Sequence, residues 1–310
     1  MFLNNLLIVS KQVAILYILV ALGFVVDRLG IFKEKTARLS NDLLFYIITP
    51  AVMIRAFMEV DGSRENIKNL LVAAGLGALL QTLGAVLAQV FFRDKNDPDN
   101  CVYKLATAYG NVGYMALPLA QAMFGAQGVF FCSGVVMVFN VFNFTHGIQI
   151  VSGGEKFELK KLILNPGTIA VLIGLPFLIF RIPVPEIVAK PMDYVASLQT
   201  PLAMIFFGTY LANTDLKTMF SNLKIYRATF LKLIATPLIM LAFMKLVGVG
   251  KEMASAILIS SSAPSANMTV MFSAKYGKDV GLASKLVALC SFISIITMPV
   301  MIAFGSMFFN

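Results

Sequence analysis

The 310-residue sequence predicts an all-α membrane protein of ten transmembrane helices, arranged as two inverted five-helix repeats with broken, crossing helices 4 and 9. Three observations predict it. Hydrophobic residues make up 58% of the chain and charged residues 13%, against roughly 25% charged in soluble domains. Ten apolar stretches are long enough to cross a bilayer core of roughly 30 Å, which takes about 20 helical residues. Two of them, in equivalent places of the two halves, carry helix breakers beside amides and hydroxyls at mid-membrane depth. A soluble domain, a nucleic-acid binder or a disordered chain needs far more polar surface. Nucleic acid is therefore not an expected partner, and the lipid bilayer is.

In order, the predicted spans are 6–26, 39–58, 67–92, 104–123, 128–151, 163–181, 192–212, 226–246, 252–273 and 280–306. The first has no basic segment and small-residue cleavage site around it, so it reads as a retained span rather than a signal peptide. The turns Asp27–Arg38 and Arg93–Tyr103 are charged and short, and no appended soluble domain is expected. Of the 25 Lys and Arg, those beside the loops after spans 1, 3, 5, 7 and 9 outnumber those on the other side two to one. Lysine and arginine concentrate in cytoplasmic loops. The chain is expected in the cell membrane, of bacterial inner-membrane type, with both termini outside. Cys101, Cys132 and Cys290 have no close spacing and read as free thiols.

Ten spans divide into a first repeat over 1–151 (spans 1–5) and a second over 152–310 (spans 6–10). An odd number of spans per half inverts one half against the other. An offset of 151 takes Thr49, Pro50, Met53 and Ile54 of span 2 onto Thr200, Pro201, Met204 and Ile205 of span 7. It also takes Gly23 onto Gly174, and Gly110 and Asn111 onto Ser261 and Ser262. Inverted repeats of this kind recur among secondary transporters.

Span 4 contains Gly110, Asn111, Gly113 and Pro118. Span 9 contains the Ser260–Ser262 run, then Pro264, Ser265 and Asn267. Proline removes a backbone donor and clashes with the preceding turn. Freed backbone groups inside a bilayer must face protein, water or a ligand. Gly110, Gly113, Pro118 and Pro264 are expected to break the helices where they cross. The amino ends created there suit a carboxylate, and the carbonyl ends suit a cation. Asn111 and Asn267 are the expected hydrogen-bond donors to substrate, with Ser262 or Ser265 assisting.

Asn140 and Asn143 of span 5 share a helical face and either line the site or tie helices together. The Ser260–Ser262 cluster either coordinates Na⁺ or permits close helix packing. His146, near the end of span 5, reads as a packing or interfacial residue more readily than as a proton relay. Asp42 and Asp193 lie near an interface and read as helix caps or solvated groups. No acidic residue falls near a predicted midplane, which weighs against a buried carboxylate relay and leaves Na⁺ or H⁺ open as the coupling ion. No nucleotide-binding, zinc or catalytic pattern is present. The chain is expected not to be an enzyme and to need no cofactor and no resident metal.

The stretch Gly110-Asn111-Val112-Gly113-Tyr114-Met115-Ala116-Leu117-Pro118 resembles the fourth-span signature of the auxin efflux carrier family, which includes bacterial malate and malonate permease-like members. Leu164-Asn165-Pro166-Gly167 followed by Gly174-Leu175, and the run from Ala263-Pro264 through Ala274-Lys275-Tyr276-Gly277-Lys278-Asp279 to Pro299, resemble its sixth, ninth and tenth spans. The resemblance covers nearly the whole chain. It implies a fold like that of the sodium/bile-acid symporters, with a scaffold from spans 1, 2, 6 and 7 and a transport domain from spans 3–5 and 8–10. It implies a small organic anion as substrate and a homodimer through the scaffold. Plant members carry a proline on each side of the span-4 asparagine and often a long loop after span 5. Here Gly110 and Val112 flank Asn111, and Val151–Leu162 is short, which points to a malate- or malonate-like acid ahead of auxin. The reading is a secondary active transporter of a small organic anion working by alternating access. Its alternatives are an uncoupled facilitator and a membrane ligand-sensing receptor on the same fold.

Overall fold

The computed structural model describes residues 2–94, 96–153, 164–214, 220 and 222–309. Among them every regular element is helical. In chain order the α-helices are α1 Phe2–Arg28, α2 Glu34–Leu43, α3 Thr49–Glu59, α4 Arg64–Phe91, α5 Asn100–Ala108, α6 Leu117–Phe142, α7 Ile148–Ser152, α8 Pro166–Phe180, α9 Glu186–Ser197, α10 Gln199–Ala212, α11 Leu223–Phe230, α12 Thr236–Val247, α13 Lys251–Ser262, α14 Met268–Lys275 and α15 Val280–Gly305. Seven helical stretches among the described residues are long and apolar enough to cross a membrane, and α8 is a shorter apolar helix. The chain is a multi-pass membrane protein. Large apolar side chains such as Ile18, Leu71, Leu172 and Ile296 are exposed on α1, α4, α8 and α15, a surface suited to lipid rather than water. Most of the charged loop after predicted span 5, including Lys156, Lys160 and Lys161, lies outside the described residues, as does Lys217.

The longest stretch, Val112–Ser152, has 41 residues. As one straight helix it would run about 60 Å, twice a bilayer core. It is not straight, because Gly125 has φ 57° and ψ −144°, a conformation that glycine adopts without strain. Beyond it, a Cβ on Gly128 would come within 2.6 Å of the Ala120 carbonyl oxygen, whereas eight residues of straight helix separate such atoms by about 12 Å. The chain therefore doubles back here, between the predicted spans 104–123 and 128–151.

Among the described residues four π-turns interrupt the helices, at Leu44–Ile48, Val112–Ala116, Asn143–Gly147 and Leu231–Ala235. Three have the same local cause. Pro50, Pro118 and Pro237 each follow two residues after the turn. Proline offers no N–H to the carbonyl four residues back, and its ring clashes with that carbonyl. A wider turn relieves the clash. Pro118 thus lies in the first turn of α6, beyond the break, whereas Pro264 lies inside the break that follows α13.

Two sets of helix contacts stand out, and they are joined to each other through α1 against α15 and α3 against α6. α1 lies against α10, and α3 against α8 and α9. The first contact is backbone to backbone: a Cβ on Gly208 would fall 2.0 Å from the Val20 carbonyl oxygen, and one on Gly23 2.2 Å from that of Ile205. In the other group α4 packs on α5 and α6, α13 on α6 and α15, and α14 on α15.

Candidate substrate-binding site

Tyr109–Asn111 follows α5 and Ala263–Asn267 follows α13, and in these two segments the helices unwind. Each segment satisfies the other. Asn111 N donates to the Pro264 carbonyl at 2.7 Å, and Ala266 N donates to the Tyr109 carbonyl at 2.9 Å. Gly110 and Ser265 thereby form an isolated antiparallel β-bridge. Ser265 adds two ties, its hydroxyl donating to the Ala106 carbonyl at 2.7 Å and its amide to Cys290 Sγ at 3.3 Å. Irregular backbone at membrane depth persists only when its polar groups find such partners.

Helix resumes on both sides of this crossing. Asn111 caps the π-turn at Val112, its Oδ1 accepting from Tyr114 N at 3.2 Å. Asn267 occupies the cap of α14 without a side-chain cap bond. The first amides of each helix have no intrahelical acceptor and carry a partial positive charge.

A cavity of about 340 Å³ lies against these two amino ends, a volume for a small molecule. One end contributes Asn111, Val112 and Gly113, and the other Ala266, Asn267 and Met268. Asn140 reaches it from α6, and Asp42 and Lys275 are its charged lining groups. Tyr46, Tyr114, Phe139, Phe144 and Phe272 supply aromatic walls. Asn267 is buried, and neither its Oδ1 nor its Nδ2 has a partner. An amide left unpartnered in a buried position is costly unless a ligand completes it.

Of the residues singled out from sequence, Asn111, Asn267, Asn140 and Gly113 line this cavity. Gly110, Pro118, Asn143, Ser262, Pro264 and Ser265 are not among its lining residues. Ser265 instead pins the crossing. Ser262 Oγ and both polar atoms of the Asn143 side chain are buried without partners. His146 Nδ1 is 2.8 Å from the Tyr109 hydroxyl, which also donates to the Phe142 carbonyl, so this histidine braces the crossing from behind. Asp42 is not a helix cap, because α2 begins at Glu34. Asp193 accepts from Arg55 Nε of α3.

Sequence reasoning missed two groups. Gln199 at the start of α10 is buried. It accepts from Thr49 Oγ1 at 3.0 Å and donates to the Gly113 carbonyl at 3.1 Å, joining two helices of the first group to the cavity wall. Nothing in the pattern distinguishes it from other membrane glutamines. Lys232, in the last π-turn, is 1% exposed. A lysine inside a span is a signal in itself, and this one lies against Gly110.

Comparison with known proteins gives concordant matches. The family described as membrane transport protein matches residues 8–302. An uncharacterized transporter of Methanocaldococcus jannaschii is 27% identical over 292 residues, covering 91% of this chain and 92% of its own. An uncharacterized transporter of Methanothermobacter thermautotrophicus is 22% identical over 297 residues, covering 94% and 96%. A Rhizobium meliloti protein named as a candidate malonate transporter is 23% identical over 298 residues, covering 90% of each.

Proposed function

Because the chain belongs to the auxin efflux carrier family of membrane transport proteins, we propose that this membrane transporter is a secondary active carrier of a small carboxylate, working by alternating access. The observation that carries the reading is the cavity lined by two helix amino ends, with the unpartnered Asn267 amide beside it. A carboxylate is the ligand class such ends favour. Asn111 spends its Oδ1 on the cap, which leaves Nδ2 to donate to the acid. Asn267 and Asn140 complete the polar contacts. Ser265 acts behind the cavity, holding the crossing through its hydroxyl and amide, and the unpartnered Ser262 and Asn143 are left out of the contacts to the acid. The name of the Rhizobium relative favours a malonate-like dicarboxylate.

The ten-span, inverted-repeat architecture belongs to the same proposal. It is supported by the reversal at Gly125, by the two unwound segments at equivalent places, and by the packing. Exchanging the halves turns the α1–α10 contact into the α8–α3 contact. The offset of 151 that pairs Gly23 with Gly174 also pairs Phe57 with Gly208, and these four residues line the two contacts. α1–α3 and α8–α10 then form the scaffold, through which a homodimer is expected. The remaining helices form the moving domain. With both termini outside the cell membrane, the Asp42 and Lys275 side of the cavity faces the cytoplasm. The carrier uses no cofactor.

The test is charge movement on a solid-supported membrane with reconstituted protein, adding malonate, malate, succinate and indole-3-acetate in turn. A saturable current with a small dicarboxylate, absent from empty liposomes, is the expected result. Saturable binding of that acid with neither current nor uptake of labelled acid would make the protein a receptor and overturn the carrier reading.

A further inference from the structure

A third helix amino end meets the cavity. α8 reaches it at Gly167, in its first turn. Asn140 of α6 lies against that turn, since a Cβ on Gly167 would fall 2.3 Å from Asn140 Nδ2. Asn140 lines the cavity, is 4% exposed, and its side chain makes no hydrogen bond among the described residues.

The first turn of α8 has donors to spare. Pro166 brings no N–H. Gly167 N donates to Asn165 Oδ1 at 2.9 Å, and Ile169 N donates to the Asn165 carbonyl at 2.9 Å. The Thr168 amide between them has no acceptor among the described residues. Asn165 is 3% exposed and its Nδ2 has no partner, and the Thr168 hydroxyl is buried without one. Capping needs only the side-chain oxygen, so the cap does not account for the idle Nδ2. Buried polar groups without partners are costly. The helix end beside them carries partial positive charge. Together they make a place for an anion.

We infer that the amino end of α8, with Asn140, Asn165 and Thr168, is a second carboxylate subsite, so that an acid held at the crossing by one carboxylate is held here by its other. The inference rests on the carboxylate reading and deepens it, because the substrate class becomes a dicarboxylate ionised at both ends. The first carboxylate lies at the amino ends beside Asn111 and Asn267. The second lies at α8, which packs on α3 and α6. A dicarboxylate therefore touches both sets of helices, whereas a monocarboxylate touches one. Gly167 supplies the room, since a side chain there would displace the Asn140 amide.

The test is titration calorimetry in detergent with malonate, succinate and glutarate, each beside its monoamide (malonamate, succinamate and glutaramate). A monoamide keeps the length of its diacid and lacks one charge. Wild type is expected to bind at least one diacid about tenfold more tightly than its monoamide. Thr168→Val and Asn165→Asp are each expected to weaken that diacid about tenfold and to leave its monoamide no weaker. Both should melt no lower than wild type. The first removes a hydroxyl without a protein partner, and the second keeps the cap oxygen and puts a negative charge where a helix favours it. Asn111→Asp, at the crossing, should weaken diacid and monoamide alike. Equal wild-type affinity for every diacid and its monoamide overturns the inference, as does a diacid preference unchanged in both Thr168→Val and Asn165→Asp. A wild type that binds none of these acids overturns the carboxylate reading with it. The expected binding pattern without uptake of the preferred diacid into proteoliposomes supports the subsite and counts against the carrier reading alone.

Discussion

Asn111→Asp is expected to fold as wild type and to lose transport. The substitution keeps an oxygen where Oδ1 caps the Val112–Ala116 turn by accepting from Tyr114 N. It removes the only donor of the side chain and places a negative charge where the substrate carboxylate binds. Loss of a hydrogen bond to a charged group is worth about 1.5–3 kcal/mol, and repulsion between the two anions adds to it. The acid's apparent affinity is therefore expected to fall by at least about tenfold. Asn111→Ala loses the cap as well and should both melt earlier and bind more weakly. Comparing the two variants, by melting temperature and by concentration dependence of uptake, separates the cap from the ligand contact. An Asn111→Asp protein with wild-type uptake would remove Asn111 from the site.

Gly208→Ala is expected to produce a large loss of stability from a single methyl group. The new Cβ would stand 2.0 Å from the Val20 carbonyl oxygen and 2.8 Å from Gly23 Cα. Both are backbone atoms, so no side-chain rotation relieves the clash, and α1 and α10 must separate. Overpacking of a well-filled contact costs about 1–3 kcal/mol, and a backbone clash lies at the upper end. Gly23→Ala strikes the same contact, with Ile205. The double variant should therefore lose less than the two single losses added together, because helices already parted accept the second methyl. Thermal melting of the four proteins checks both statements. Gly113→Ala is the control, because a Cβ there meets no atom within 4 Å.

Much of the crossing was legible in the sequence, because mid-membrane breakers leave few physical options. Proline and glycine beside asparagine in two apolar stretches had to face something polar, and in the structure the two segments face each other. Four of the residues named for the site line the cavity. Ser265 falls in the unwound segment and Ser262 at the end of α13, both off the cavity. Helical periodicity stops where the helix unwinds, so spacing no longer says which way a side chain turns. Asp42 was read as an interfacial cap because hydropathy starts the second span at residue 39, whereas α2 starts five residues earlier. The π-turns escaped notice for a related reason. Apolar composition fixes the span, and the proline two residues downstream fixes the turn, but a regular 3.6-residue pattern has no place for it. Lys232 falls inside the predicted span 226–246, but sequence alone does not say what it faces, and the π-turn buries it against Gly110.

Counterflow of labelled malonate tests the central claim, that the acid is held between the two amino ends, most directly. Wild-type and Asn267→Asp proteins would be reconstituted side by side and loaded with unlabelled acid. Asn267 has the unpartnered amide in the cavity, so wild type should accumulate label transiently and saturably, and Asn267→Asp, folded and melting as wild type, should not. Equal counterflow by the two proteins would contradict the account, since an anion bound between these helix ends cannot be indifferent to a carboxylate placed beside it.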